Sequence, residues 1–199
     1  MLCTIGHSIH SIDVFLGHIA RHGITAIGDV RSYPHSKFVP QFSREPLKAA
    51  LAEVGVAYSF LGKELGARSS NVRCYKDGKV LYDRLAQEPL FELGISRLLE
   101  GAKRHRIAIV CAERDPLECH RTLLVARAIS RRSVLVSHIL ADGGLESQDE
   151  LETRMLLRWK LPSGDMFRSR DEFISDAYYM QSHRVAYEDE RNSGMEGTL

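Results

Sequence analysis

Residues 106–129 read RIAIVCAERDPLECHRTLLVARAI. The apolar run at 106–111 is typical of a buried strand, and the stretch from Cys119 onward is typical of a helix. Cys119, His120 and Arg121 stand where that predicted helix begins. The start of a helix has free backbone N–H groups and a partial positive charge, which a histidine and an arginine reinforce. The stretch therefore predicts a strand followed by a helix, with an anion site where the two meet.

The same alternation extends over most of the chain. Five short apolar runs predict strands, namely LCTIG (2–6), ITAIGDVR (24–31), VAYSFLG (56–62), RIAIVCA (106–112) and SVLVSHIL (133–140). Helical segments at 11–23, 43–55, 89–106 and 119–130 lie between them. Ser11 and Ser43 are N-cap residues by this pattern, and Gly23 and Gly55 are helix terminators. We predict a three-layer α/β fold with a largely parallel sheet and helices on both faces.

Two further segments depart from this alternation. Residues 62–82 lack periodicity and carry five basic against two acidic residues, which predicts a basic flap. After Gly143 and Gly144 the stretch 145–161 reads as one amphipathic helix, and the residues beyond Pro162 are mixed. We therefore predict an α/β domain over residues 1–144 and a helical extension over residues 145–199, whose tail frays from Asn192.

Composition limits the function classes. The net charge of +1 provides no global field that would attract nucleic acid or a membrane surface. The start MLCTIGHS lacks the pattern of a signal peptide and no apolar run reaches membrane-spanning length, so we expect a cytoplasmic protein without a membrane partner. The four cysteines show no CxxC spacing, which argues against disulfides and excludes a cysteine-rich zinc knuckle. No cofactor is predicted, and homodimer formation stays open.

Polar residues follow three of the predicted strands. In an open parallel sheet, ligands bind at the carboxyl ends of the strands. The sequence GHS follows the first strand, DVR ends the second, and CAE with CHR follows the fourth. The candidate acid–base residues are His7, Glu113 and His120. The candidate ligand-binding residues are Ser8, Arg31, Arg44 and Arg121.

These motifs resemble a known family. TIGHS (4–8), DVR (29–31) followed by Pro34, FSR (42–44), ELG (64–66), CAE (111–113) and CHR (119–121) occur in the order and spacing of the domain of unknown function 488 family. The resemblance covers roughly residues 3–140 and implies no settled activity, although some members are labelled as related to DNA repair. The resemblance implies a His-Glu pair after the fifth strand in many relatives, whereas this chain has Gln148 and Asp149. A metal or acid–base role at that position is therefore in doubt.

Three functions remain open at this point. The first is an anion-binding enzyme, a hydrolase or transferase acting on a nucleotide, a nucleic acid or a phosphorylated metabolite. The second is a non-catalytic module that binds nucleic acid or nucleotide. The third is a rhodanese-like sulfurtransferase, which Glu113 and Asp115 disfavour because they oppose an anionic persulfide on Cys111. An open cleft between Glu113 and His120 would favour the enzyme.

The cysteines invite two other interpretations. A cysteine phosphatase needs an arginine six positions after its nucleophile, but Leu117 and Val125 occupy those positions after Cys111 and Cys119. Metal binding by His7, Cys111, Cys119 and His120 fits by residue type, yet no ligand pair has a standard spacing. The sequence therefore predicts no metal site and places Cys111 in the core.

Overall fold

The computed structural model describes residues 2–189 and contains a six-stranded sheet in the order β3-β2-β6-β1-β7-β8. Neighbouring strands are parallel throughout, except that β8 pairs antiparallel with β7. A separate two-stranded hairpin consists of β4 and β5. The strands are β1 (Leu2–Gly6), β2 (Ala26–Asp29), β3 (Ala57–Phe60), β4 (Tyr75–Lys76), β5 (Lys79–Val80), β6 (Ile107–Cys111), β7 (Val136–Ile139) and β8 (Leu145–Ser147).

The helices cover both faces of this sheet. They are α1 (Ile12–Arg21), α2 (Arg44–Glu53), α3 (Gly62–Leu65), α4 (Tyr82–Leu85), α5 (Pro89–Ala102), α6 (Arg127–Ser130), α7 (Gln148–Arg158) and α8 (Arg170–Val185). One hydrophobic cluster lies between the sheet and α1 with α2, and it contains Phe15 and Leu47. The larger cluster lies on the opposite face and includes Ile95 of α5, Met155 of α7 and Tyr178 of α8. The predicted three-layer α/β fold is confirmed.

The local signals for α1 act as the sequence indicates. The Ser11 side chain accepts a hydrogen bond from the backbone N–H of Val14, which satisfies one free donor of the first turn. Gly23 follows the helix with a φ of 61°, a conformation that costs a glycine little. Ser43 precedes α2 as predicted, but its hydroxyl contacts Ser36 and makes no hydrogen bond to the helix.

The C-terminal part of the chain corrects one boundary of the predicted helical extension. Residues 145–147 form β8 and extend the sheet, so the amphipathic helix begins at Gln148 and not at Leu145. A capping box between Ser147 and Glu150 fixes that start. The predicted helical C-terminal extension is confirmed by α8, which packs Phe173 and Tyr178 into the larger cluster, although the pattern beyond Pro162 did not give its bounds. The predicted frayed tail from Asn192 lies outside the described residues.

The segment 62–82 is more structured than the sequence pattern indicates. It contains α3, a short 3₁₀ turn at Val72–Cys74 and the β4–β5 hairpin. The hairpin is tied to the end of the described chain, because the Val80 N–H donates to the Tyr187 carbonyl at 3.0 Å. The segment therefore forms part of the folded body.

Candidate functional site

The carboxyl ends of β2, β6 and β1 meet at one edge of the sheet, because these strands are neighbours in that order. Backbone hydrogen bonds continue past the strands and hold the following loops together. His7 N–H donates to Cys111 O at 2.9 Å, and Ser8 N–H donates to Ala112 O at 2.9 Å. The motifs GHS, DVR and CAE lie side by side, as predicted, because the parallel pairing of β1 and β2 with β6 continues past the ends of the strands.

Gly6 permits this close approach. A Cβ at that position would lie 1.9 Å from the Glu113 carbonyl oxygen and 3.1 Å from Nη2 of Arg121. No side chain fits in that gap, so a glycine is needed where β1 ends.

An open cleft of about 360 Å³ lies above these strand ends. Its floor includes Cys111, Glu113 and His120. Its walls come from distant segments, including Arg68, Tyr82 and Tyr187. Two of the predicted acid–base residues therefore face the same cleft, and the segment 62–82 supplies part of its wall.

Four chemically reactive side chains meet here: Cys111, Glu113 and His120 line the cleft, and Cys119 is buried beside them. The Cys119 thiol donates to Oε2 of Glu113 at 2.8 Å. Nδ1 of His120 lies 3.6 Å from the Cys111 sulfur and 3.9 Å from the Cys119 sulfur. Cys119 is buried, whereas Glu113 is exposed as a residue and directs its carboxyl group inward. The sequence singled out Glu113 and His120 but missed that both contact the sulfur of Cys119.

A backbone carbonyl sets the orientation of the His120 ring. Nε2 lies 3.0 Å from the carbonyl oxygen of Val30 at the end of β2. A carbonyl only accepts hydrogen bonds, so Nε2 carries the proton and Nδ1 presents a lone pair to the two sulfurs when the ring is neutral. A base positioned beside thiols in this way is typical of reactive sites.

The electrostatics of this cluster are strongly perturbed. Burial raises the pKa of Cys111. Burial alone would raise the pKa of Cys119 too, but the hydrogen bond from Cys111 and the charge of Arg121 outweigh it and lower that pKa well below its usual range. Desolvation of the carboxyl group and the adjacent Cys119 sulfur raise the pKa of Glu113. The pKa of the Cys119 thiol is therefore lowered and that of the Glu113 carboxyl raised across a contact of 2.8 Å.

The structure places Arg31 and His7 in an internal network. Nε and Nη2 of Arg31 donate to the two carboxylate oxygens of Asp29 at 2.9 and 2.6 Å. Nη1 donates to the Phe42 carbonyl at 2.7 Å and to Nε2 of His7 at 3.2 Å. Burial lowers the pKa of His7 to about 4, so its ring is neutral near pH 7. Arg31 borders the cleft, but Asp29, Phe42 and His7 occupy most of its donors.

Arg121 is fully buried behind the cleft floor. Its Nη1 donates to the Glu113 carbonyl at 2.7 Å, and its Nη2 donates to the Arg114 carbonyl at 3.3 Å. The helix that follows begins with a π-helical turn at Arg121–Ala126. The first backbone N–H groups of this turn already have hydrogen-bond partners. Arg121 N–H donates to the Cys119 sulfur, and the next two N–H groups donate to the Cys119 carbonyl. The backbone N–H groups that the sequence predicted to be free for an anion are therefore already bonded to Cys119.

The other two predicted ligand residues lie away from the cleft floor. Arg44 is exposed, stacks over Phe60 and pairs weakly with Glu45 at 3.7 Å. Ser8 has a φ of 48°, and its carbonyl contacts Nδ1 of His7. The structure instead brings Arg68 to the cleft, with its guanidinium between the rings of Tyr33 and Tyr187. The basic composition of 62–82 was the sequence signal for that residue.

Comparison with known proteins supports one assignment. The family model described as "Domain of unknown function DUF488" matches residues 11–128, more than half of the chain. The chain belongs to the DUF488 family. No curated protein and no solved structure gives a significant match. Within the described residues of this DUF488 protein, no helix has the length and apolar character needed to cross a bilayer.

The position of Gln148 in this DUF488 protein is now explained structurally. Its Oε1 lies 3.2 Å from Nε2 of His138, and its amide nitrogen donates to the Tyr178 hydroxyl and to Glu152. Nδ1 of His138 lies 2.9 Å from the Thr4 hydroxyl. His138 and Gln148 thus form a buried polar network between the sheet, α7 and α8.

Proposed function

We propose that this DUF488 protein is an enzyme of the hydrolase or transferase kind that acts on an anionic substrate bound in the cleft. The observation that carries the proposal is that Glu113 and His120, which line an open cleft, both contact the buried sulfur of Cys119. Acid–base groups that meet in a cleft with room for a ligand are the usual mark of an active site. A module that only binds has no need of them.

The substrate side of the proposal rests on Arg68. Its guanidinium lies 4.1 Å from the ring centre of Tyr187 and 4.9 Å from that of Tyr33. The two rings hold a planar cation that is suited to bidentate contact with phosphate or carboxylate. A cleft of about 360 Å³ suits a small anion such as a nucleotide or a phosphorylated metabolite.

The two alternative functions receive less support. A binding module would depend on Arg31 and Arg121, whose donors are largely occupied by internal partners. The rhodanese-like alternative places its persulfide on Cys111, but burial raises the pKa of that thiol, whereas a sulfurtransferase needs a thiolate. The cytoplasmic location and the homodimer stay predictions from the sequence.

A thermal-shift screen of nucleotides, phosphorylated metabolites and oligonucleotides tests the proposal, because a ligand of the folded state raises the apparent melting temperature. We expect a small anionic compound to stabilise the wild-type chain and to be turned over. Glu113→Gln should keep the shift and lower turnover by about 10²–10⁴-fold, the usual contribution of an acid–base group.

Glu118→Gln is the matched control for Glu113→Gln. Glu118 borders the same cleft, but it pairs with Arg158 and Arg184 and makes no contact with the thiols. Its replacement should leave turnover within a few-fold of the wild type. A screen in which no anionic compound stabilises the wild-type chain, or full turnover by Glu113→Gln, would contradict the proposed function.

A further inference from the structure

The sulfurs of Cys111 and Cys119 and Nδ1 of His120 all lie within 4.8 Å of one another. A tetrahedral zinc ion, with Zn–S of about 2.3 Å and Zn–N of about 2.05 Å, separates a sulfur ligand from a nitrogen ligand by about 3.6 Å. The sulfur-to-nitrogen distances here are 3.6 and 3.9 Å. We propose that Cys111, Cys119 and His120 bind a divalent metal ion of the zinc type, with the fourth coordination position open to the cleft.

The surroundings of His120 fit this role. Its Nε2 donates to the Val30 carbonyl at 3.0 Å, which leaves the Nδ1 lone pair directed at the sulfurs. Metal-binding histidines almost always donate their other ring N–H in this way, since the second contact fixes the tautomer and the ring plane. The ring therefore needs no rotation to accept a metal ion.

The surroundings of Cys119 fit as well. The backbone N–H of Arg121 donates to its sulfur at 3.3 Å, and this bond stabilises a thiolate more than a thiol. Metal binding releases the thiol protons of both cysteines to solvent, because only the thiolate is a ligand. Two thiolates offset the charge of a divalent cation, so the metal ion would not be an unpaired charge at this buried position.

The three ligand residues, and their position beside the cleft, indicate which metal ion binds and whether the site is structural or catalytic. Two thiolates and an imidazole select zinc or a similar soft cation over magnesium or calcium. Structural zinc sites use four protein ligands, whereas catalytic sites use three and keep one position for water or substrate. Cys111 and His120 both border the cleft, so the open position faces the space where substrate would bind. That catalytic role rests on the proposed function, whereas metal binding itself does not.

Glu113 gains a specific part in this arrangement. Its Oε2 accepts the hydrogen bond of the Cys119 thiol. With Cys119 bound to a metal ion as a thiolate, Glu113 would lose that hydrogen bond, and its carboxylate would be placed to take a proton from a molecule in the cleft. Zinc lowers the pKa of bound water to about 7, which supplies a nucleophile for hydrolysis.

Cobalt titration of the full chain tests metal binding without any substrate. The protein is reduced, stripped of metal with a chelator and titrated with Co²⁺, whose thiolate charge-transfer band and visible d–d bands report tetrahedral sulfur coordination. We expect a single Co²⁺ per chain, displaced by Zn²⁺. Cys111→Ser and Cys119→Ser should each weaken Zn²⁺ binding by more than about 100-fold, since loss of an outer-shell partner alone costs 10–100-fold. Cys74→Ser, another buried cysteine, is the matched control and should bind as the wild type does.

X-ray absorption of the zinc-loaded wild-type chain gives a second readout that needs no variant. We expect two sulfur neighbours at about 2.3 Å and nitrogen or oxygen neighbours at about 2.0 Å. Absence of the charge-transfer band, or wild-type affinity in a Cys111→Ser/Cys119→Ser double variant, would overturn the proposal. The proposal would also be overturned if the reduced chain binds no metal and the oxidised chain forms a Cys111–Cys119 disulfide.

The two proposals fail separately. A chain that binds Zn²⁺ but is stabilised by no anionic compound keeps the metal site and loses the proposed function. A chain that turns over an anionic compound equally well before and after metal removal, and binds no Co²⁺, keeps the proposed function and loses the metal site.

Discussion

Nε2 of His120 lies 3.0 Å from the carbonyl oxygen of Val30, although 90 residues separate them in the sequence. The contact joins the end of β2 to the turn that follows β6, since these two strands pair in parallel. It fixes the ring whose other nitrogen faces Cys111 and Cys119. The chemistry of the cleft floor therefore depends on strand pairing as well as on the motif CHR.

Arg121→Ala tests whether Arg121 holds the fold or binds ligand. Its guanidinium is buried and donates to the carbonyls of Glu113 and Arg114, so removal leaves two partly buried acceptors unpaired and a cavity. We expect the free energy of unfolding to fall by about 3–5 kcal/mol in urea titrations. Arg114→Ala, at an exposed side chain, should change it by less than about 0.5 kcal/mol. Equal stability of the two variants would contradict this role.

Gly6→Ala and Gly17→Ala should have opposite effects. At Gly6 the new methyl group would overlap the Glu113 carbonyl oxygen, so we expect a loss of about 3 kcal/mol or more. At Gly17, an exposed position inside α1 with no atom within 4 Å of the new methyl, we expect a gain of about 0.5–1 kcal/mol. Thermal or chemical unfolding of both variants measures this, and a stable Gly6→Ala protein would show that the strand ends can move apart.

His138 should make stability depend on pH. Burial, and then the nearby charge of Arg121, lower its pKa from 6.5 to about 3, and Arg154 acts in the same direction. The unfolded chain therefore binds a proton below pH 6.5 that the folded chain does not bind until about pH 3. Stability is complete above pH 6.5 and should fall as the pH drops, by up to about 1.4 kcal/mol per pH unit.

His138→Gln is the variant for that measurement. Between pH 6.5 and about pH 4 the wild type should lose more unfolding free energy than the variant, because glutamine does not titrate. His7, whose pKa is about 4, keeps its own contribution in both proteins. Parallel pH profiles would show that His138 is protonated equally in the folded and unfolded chains.

Arg68→Ala should weaken the binding of any anion found by the thermal-shift screen. The guanidinium borders the cleft between two aromatic rings, and a charge-assisted hydrogen bond contributes about 1.5–3 kcal/mol. We expect a roughly 10- to 100-fold higher dissociation constant and a weaker dependence on salt. Arg73→Ala, an exposed arginine of the same segment, is the control. An unchanged dissociation constant in Arg68→Ala would remove this residue from the substrate site.

The sequence by itself determined the layers of this protein and the edge of the sheet that carries polar groups. The alternation of apolar runs with helical periodicity reports which residues avoid water, and that signal is local. It predicts β1, α1, α2, α5 and β6 within a few residues, and the capping serine of α1. It fails for β8, whose three residues are too few to show a period, and it does not give the bounds of α8, whose apolar residues do not form a regular stripe.

Only the tertiary structure decided which polar residues face the cleft. Arg31 and Arg121 look like ligand residues in the sequence, but their partners are Asp29 and backbone carbonyls that three-dimensional contacts supply. Cys111 and Cys119 lack a standard ligand spacing, yet the 3₁₀ turn at Pro116–Glu118 and the π-helical turn after it bring both sulfurs within 4 Å of Nδ1 of His120. Hydrogen bonds and metal ligation require directions and distances between side chains, and sequence spacing fixes these only within regular elements.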